Sequence, residues 1–146
     1  PEPLLTYNLY DHWIAAAKIE DKNQELEYVK SLLPHLPMYN KFILQALCKL
    51  LVKIAENSNV TKMAASNLGI VIGPNLLSKQ NADPYDTSDF KYIYNIVQVF
   101  IENYNAIFEG IEEERKQYED GLMKDILEKR EKEMQEKEKM KQEQKE

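Results

Sequence analysis

The chain has 146 residues, about one ordinary domain or a smaller one with an appendage, and a formal net charge of −6. The charge is unevenly spread: residues 111–146 carry 10 Lys+Arg and 13 Asp+Glu, residues 1–110 carry 9 and 12, so a globular body precedes a solvated tail. Both parts are net acidic, which excludes the clustered positive charge that nucleic-acid binding needs. One cysteine, Cys48, rules out an intrachain disulfide framework and suits a reducing compartment, so a cytoplasmic location is expected. No run nears the roughly 18 apolar residues of a membrane span.

Periodicity is helical throughout, so the expected fold class is all-α. Leu4, Leu5, Leu9, Tyr10, Trp13, Ile14 and Ala17 mark a first helix or series of helical turns that ends near Asp21-Lys22-Asn23. A second helix carries Leu26, Val29, Leu32 and Leu33 and stops around Leu36-Pro37, because proline disfavours helical geometry in the residue before it. Pro37 suits the first turn of a third helix, from about Met38 to Asn57, where Phe42, Ile43, Leu44, Leu47, Leu50, Leu51 and Ile54 form a wide apolar stripe. A turn at Asn57-Ser58-Asn59 leads to a fourth helix, Lys62 to Ile72, capped by Thr61 or Asn59 and ended by Gly73-Pro74. That helix is expected to bury most of its faces, with one amide, Asn67, among apolar neighbours. A buried amide needs a partner.

Residues 78–88 read as a loop, rich in Asn and Asp and containing Pro84. Ser88 or Asp89 then caps a fifth helix with Ile93, Ile96, Val97, Phe100, Ile101, Tyr104, Ile107 and Phe108 at three- and four-residue steps, interrupted weakly at Gly110. Beyond it the apolar pattern thins to Ile111, Tyr118, Leu122, Met123, Ile126 and Leu127. Charged pairs four apart, such as Asp120/Lys124 and Glu128/Lys132, support an exposed helix. A sustained coiled coil needs several apolar heptads, and the tail offers about two, with Arg115 in the seam. It reads either as a solvated helix or as a short coiled coil for self-association or another helical partner.

Chemistry finds little to work with. His12 and His35 stand on different helices without metal-ligand spacing, the glycines at 69, 73, 110 and 121 build no phosphate loop, and no local motif gathers a nucleophile, base and acid. Cys48 lies in an apolar run and reads as a small buried hydrophobe. No metal and no cofactor are expected.

Three ordered motifs carry a family resemblance: Pro1-Glu2-Pro3-Leu4-Leu5 with Leu9-Tyr10; Leu36-Pro37 with Asn40, Leu44 and Leu47; and Lys62-Met63 followed by Asn67-Leu68-Gly69-Ile70-Val71-Ile72-Gly73-Pro74-Asn75-Leu76-Leu77. Together they resemble the Rho GTPase-activating (RhoGAP) domain over residues 1–108, with residues 109–146 left as a charged helical extension. The resemblance implies an all-helical domain that docks on Rho, Rac or Cdc42-type GTPases in their GTP-bound state and accelerates hydrolysis. It also implies a GTPase-binding role for Asn67, Ile70 and Lys62. Where the family commonly has Asn before the Lys-Met pair, this chain has Thr61.

An arginine finger of the kind the family uses is worth roughly 10³ to 10⁵ in rate, and lysine lacks the planar fork to replace it. The chain's only arginines are Arg115 and Arg130, both in the tail. The family's arginine precedes the Pro-Glu-Pro-Leu segment, so the expectation is an N-terminally truncated RhoGAP domain, with some apolar faces uncovered and no chemistry of its own. Its role is then that of an enzyme regulator. The alternative is a GTPase-binding or scaffolding module of the same fold without activating power.

Overall fold

The computed structural model describes all residues, Pro1–Glu146, and contains helices and turns only. The helices are α1 (Tyr10–Ala17), α2 (Lys22–Leu32), α3 (Met38–Glu56), α4 (Ser58–Thr61), α5 (Ala65–Leu76), α6 (Phe90–Glu102) and α7 (Tyr104–Glu143), with a short 3-10 turn over Leu33–His35. The chain divides into two compact units, Pro1–Glu112 and Glu113–Glu146.

In the first unit α6 is the central element, packed against α1, α3 and α5. Its apolar residues recur at helical spacing, and Ile93, Ile96, Val97, Phe100 and Ile101 are all buried. Trp13 from α1 meets Phe100 edge-on with ring centroids 5.7 Å apart, and Phe100 meets Phe108 at 5.5 Å. Such edge-to-face pairs add to the area term because ring edges and faces carry opposite partial charge. The fully buried indole also needs a polar partner, and its Nε1–H donates to the Leu5 carbonyl at 3.0 Å.

The amino-terminal segment straps three helices together. Leu5 N–H donates to the Leu76 carbonyl at the end of α5, and Asn40 Nδ2 of α3 donates to the Leu4 carbonyl, both at 3.0 Å. Thr6 takes a left-handed φ of 68° within this strap. A right-handed helix needs negative φ at every residue, so the pattern from Leu4 onward resolves into turns, and regular helix begins only at Tyr10.

Polar side chains complete the unit. Asp21 caps α2 by accepting from the N–H groups of Asn23 and Gln24 at 3.0 Å. Glu25, only 2% exposed, accepts from Asn95 Nδ2 of α6 at 3.1 Å and lies 4.0 Å from Lys22 Nζ. Buried Gln45 donates to the Tyr104 hydroxyl at 2.7 Å, Tyr104 donates to Glu112 at 3.1 Å, and Lys49 pairs with the same carboxylate. Burial is the main reason the Tyr104 hydroxyl ionises above its ordinary range. No spacing rule on one helix shows this network, since its members come from α3 and α7.

Several boundaries differ from the sequence expectation. The long fifth helix breaks at Asn103, not at Gly110: Asn103 Nδ2 bonds the Val99 carbonyl at 3.1 Å, and such side-chain bonding competes with helix continuation. α7 then runs through Gly110 and Gly121, where nothing lies within 4 Å of an added Cβ. Neither Ser88 nor Asp89 caps α6 with its side chain; Asp89 accepts the Tyr10 hydroxyl instead, and Ser88 donates to Asp86. On α3, Ile43 and Leu50 are exposed, because the neighbouring helices cover only the arc through Leu44, Cys48 and Leu51.

Cys48 is fully buried on that arc, and burial pushes its thiol from an ordinary 9.0 up to about 12. The folded state therefore favours the protonated thiol. Its contribution to stability is complete below about pH 9 and is lost as pH rises from 9 toward 12. Ellman's reagent is expected to leave native Cys48 unmodified at pH 8 and to react at once in denaturing urea. Fast labelling of the native chain would contradict this burial.

The second unit is a helical segment whose outer residues are almost all exposed. Arg115 and Glu119 approach to 3.9 Å, and Gln117 donates to Glu113 at 3.3 Å, both pairs at the i, i+4 spacing. Leu122, Met123, Ile126 and Leu127 form its one exposed apolar cluster.

Candidate functional site

The motif from Lys62 to Leu77 forms a turn and a helix, not one continuous helix. α4 ends at Thr61, and Lys62 follows in a left-handed conformation with φ 61° and ψ 18°. Thr61 Oγ1 donates to the Ile54 carbonyl of α3 at 3.3 Å and accepts from Met63 N–H at 3.2 Å. Ala64 is extended, and α5 begins at Ala65 without a side-chain cap. Lys62 is thus off the helix, contrary to expectation. A hydroxyl-stabilised turn outcompetes helix nucleation there, since the first helical turn fixes several residues for one hydrogen bond.

α5 is also less buried than expected. Leu68, Gly69, Gly73 and Leu76 are buried, while Asn67, Ile70, Val71 and Pro74 are exposed at i, i+3, i+4 and i+7. Ile70 is 52% and Val71 56% exposed. The inward face is made by glycines. A Cβ on Gly69 would lie 2.5 Å from the Tyr94 carbonyl oxygen, and one on Gly73 would meet Ile93 Cγ2 at 3.1 Å. Two glycines four residues apart let α5 lie backbone-close to α6, and this contact sets the rotation of the helix about its axis.

Pro74 lies inside α5, which continues to Leu76 and does not stop at Gly73-Pro74. Proline lacks the N–H that would bond the carbonyl of Ile70, four residues back. The helix survives the loss because its following residues are anchored: Leu77 N–H donates to Gly73, and Leu5 N–H holds the Leu76 carbonyl.

Asn67 is not a buried latch. It is exposed, and its Nδ2 donates to the Lys62 carbonyl at 3.4 Å. The structure therefore brings Lys62 and Asn67 together through a backbone contact across the turn, and Ile70 stands one turn along the same outward face. Val71, the i+4 neighbour of Asn67, shares this exposed face. Thr61, expected to cap the helix, holds the turn instead, which depends on a carbonyl from another helix.

The two histidines stand apart. His12 Nδ1 lies 3.1 Å from the Tyr28 hydroxyl on the surface, and His35 is in the 3-10 turn. No three His, Cys, Asp or Glu residues are placed to hold a metal. No helix is long and apolar enough to cross a membrane.

Comparison with known proteins is consistent in family and fold. A family model for the RhoGAP domain matches residues 1–81. The Rho GTPase-activating protein gacN of Dictyostelium discoideum is 40% identical over 109 residues, covering 74% of this chain and 18% of that protein. The human Rho GTPase-activating protein 42 is 37% identical over 107 residues, covering 73% of this chain and 12% of that protein. This chain thus spans less than a fifth of the length of these relatives. Among solved structures, the BH domain from GRAF, the GTPase regulator associated with focal adhesion kinase, superposes with a TM-score of 0.69 at 33% identity, covering 75% of this chain and 58% of that one. Human Rho GTPase activating protein 15 gives 0.69 at 33% identity, with 74% and 51% covered.

Proposed function

This chain belongs to the RhoGAP domain family, and from that premise we propose that residues 1–108 present a docking face for a Rho, Rac or Cdc42-type GTPase in its GTP-bound state. The observation that carries the reading is the outward presentation of Asn67 and Ile70 on a helix whose reverse face is seated on glycines. A rigid seat lowers the ordering cost of binding. An exposed amide beside apolar Ile70 and Val71 offers the mix of directional and dispersive contact found at interface centres. Lys62 adds a cation at the edge of this face.

In this reading the chain regulates an enzyme and performs no chemistry itself. Both its arginines, Arg115 and Arg130, lie on α7, away in sequence from the docking motif. The same arrangement supports the second reading, a module that binds a GTPase without accelerating it. The cytoplasm, where Rho-type GTPases and a reduced Cys48 coexist, is the proposed setting. The exposed cluster around Leu122 and Ile126 supports pairing of the tail, residues 109–146, with another helix, a second copy included.

Calorimetric titration and single-turnover hydrolysis with Rho, Rac and Cdc42 test the proposal. The chain is expected to bind at least one partner about ten-fold more tightly loaded with a non-hydrolysable GTP analogue than with GDP. Hydrolysis is expected to rise far less than the roughly 10³ to 10⁵ an arginine finger supplies. Absence of binding to all three removes the docking reading; acceleration of that full size shows that the chain contains its own catalytic cation.

A further inference from the structure

α3 has two apolar faces, and the first unit covers only one of them. Phe42, Leu44, Cys48 and Leu51 turn inward. On the other side Tyr39, Ile43, Ala46 and Leu50 are exposed, Ile43 by 57% and Leu50 by 54%, with Leu47 and Ile54 half-buried beside them. At 3.6 residues per turn these six side chains fall within one arc of about 100°. The charged residues of the helix, Lys41, Lys49, Lys53 and Glu56, all lie outside that arc, and Lys49 is engaged with Glu112. A helix this apolar around its circumference is normally enclosed, and a contiguous apolar patch of this kind marks a contact surface.

The order of residues in the stripe selects the occupant. Reversing α3 about the point between Ala46 and Leu47 carries Tyr39 onto Ile54, Ile43 onto Leu50 and Ala46 onto Leu47, so the stripe reads the same in both directions. A two-fold contact requires this property, because residue i of each copy must meet residue j of the other. Small Ala46 stands at the axis, where two helices come nearest, and meets the larger Leu47, so the facing layers can interdigitate. With no charge in the stripe, no like charges meet when it pairs with itself.

We propose that α3 pairs antiparallel with α3 of a second copy, Ile43 packing on Leu50 and Ala46 on Leu47 across the two-fold axis. From Tyr39 to Ile54 the stripe is about 23 Å long and one helix wide, a footprint well below the roughly 800 Å² per partner of a standard interface. The dimer is therefore weak, with a dissociation constant of roughly 10–100 μM. This pairing rests neither on the GTPase reading nor on the tail.

Sedimentation equilibrium of the full chain, from about 5 to 500 μM, is expected to show a rise from monomer to dimer mass. Ile43→Asp with Leu50→Asp should raise the dissociation constant at least about a hundred-fold, since each copy would bury unpaired charge. Both positions face solvent, so the urea midpoint should stay where it is. Leu122→Asp with Ile126→Asp, in the tail, should leave the α3 pair intact. A nitroxide attached through Lys53→Cys should lie about 20 Å along the axis from its counterpart in the antiparallel pair, and beside it in a parallel one; buried Cys48 stays unlabelled. A monomer at the highest concentration, nitroxides closer than about 15 Å, or a dimer that survives the folded α3 double variant and is lost in the tail variant overturns the proposal.

Discussion

Gly69→Ala is expected to destabilise the first unit by about 2 kcal/mol, shifting the folded-to-unfolded ratio roughly thirty-fold. The added Cβ would sit 2.5 Å from the Tyr94 carbonyl oxygen and 3.3 Å from its carbon. Both are backbone atoms of α6, so no rotamer change relieves the overlap. Overpacking of this kind costs typically about 1–3 kcal/mol, and more where backbone must move; replacing a helical glycine returns about 1 kcal/mol of propensity. The steric term wins because α5 must lift from α6, which in turn loosens the Leu5 to Leu76 strap. Gly110→Ala is the control: nothing lies within 4 Å of its added Cβ, so only the propensity gain, up to about 1 kcal/mol, remains. Urea unfolding followed by the fluorescence of Trp13 reads both. Equal midpoints for Gly69→Ala and the parent chain would mean that α5 and α6 are not in backbone contact.

Asn67→Ala and Ile70→Asp are expected to act on binding and not on folding. Both residues are exposed, and Asn67 holds only a 3.4 Å bond to the Lys62 carbonyl, so stability should change by less than about 0.5 kcal/mol. Under the docking proposal, affinity for an analogue-loaded GTPase should fall about ten-fold for Asn67→Ala and about a hundred-fold for Ile70→Asp, which puts an unpaired charge into a desolvated contact. Calorimetric affinity and urea midpoints, measured on the same samples, separate the two roles. Unfolding of Asn67→Ala would make the amide a latch. Normal folding with undiminished binding in both variants would remove this face of α5 from the docking surface.

Much of the fold was legible in the sequence. α6 mixes apolar and polar residues in a helical rhythm, so its buried residues other than Val99 followed from spacing, and the Pro37 punctuation set the start of α3. The family motifs were equally local, because they are runs of residue types that the chain order displays directly. What failed were features that depend on atoms supplied by another element. Asp89 looked like a helix cap until Tyr10 from α1 claimed its carboxylate. Thr61 became the organiser of a turn only because the Ile54 carbonyl of α3 lies within reach.

The candidate site shows the same division. Residue order determined that a small-residue, apolar segment with Asn67 near its start lies between two polar turns, and that the only arginines are in the tail. It could not set the phase of that helix. Leu68, Gly69, Ile70, Val71, Ile72 and Gly73 are apolar or small all round, so periodicity contains no contrast from which an inner and an outer face can be told apart. Tertiary structure decided it through contact distance: the side lacking Cβ atoms allows the closest approach to α6, which turns Gly69 and Gly73 inward and leaves Asn67, Ile70 and Val71 facing solvent.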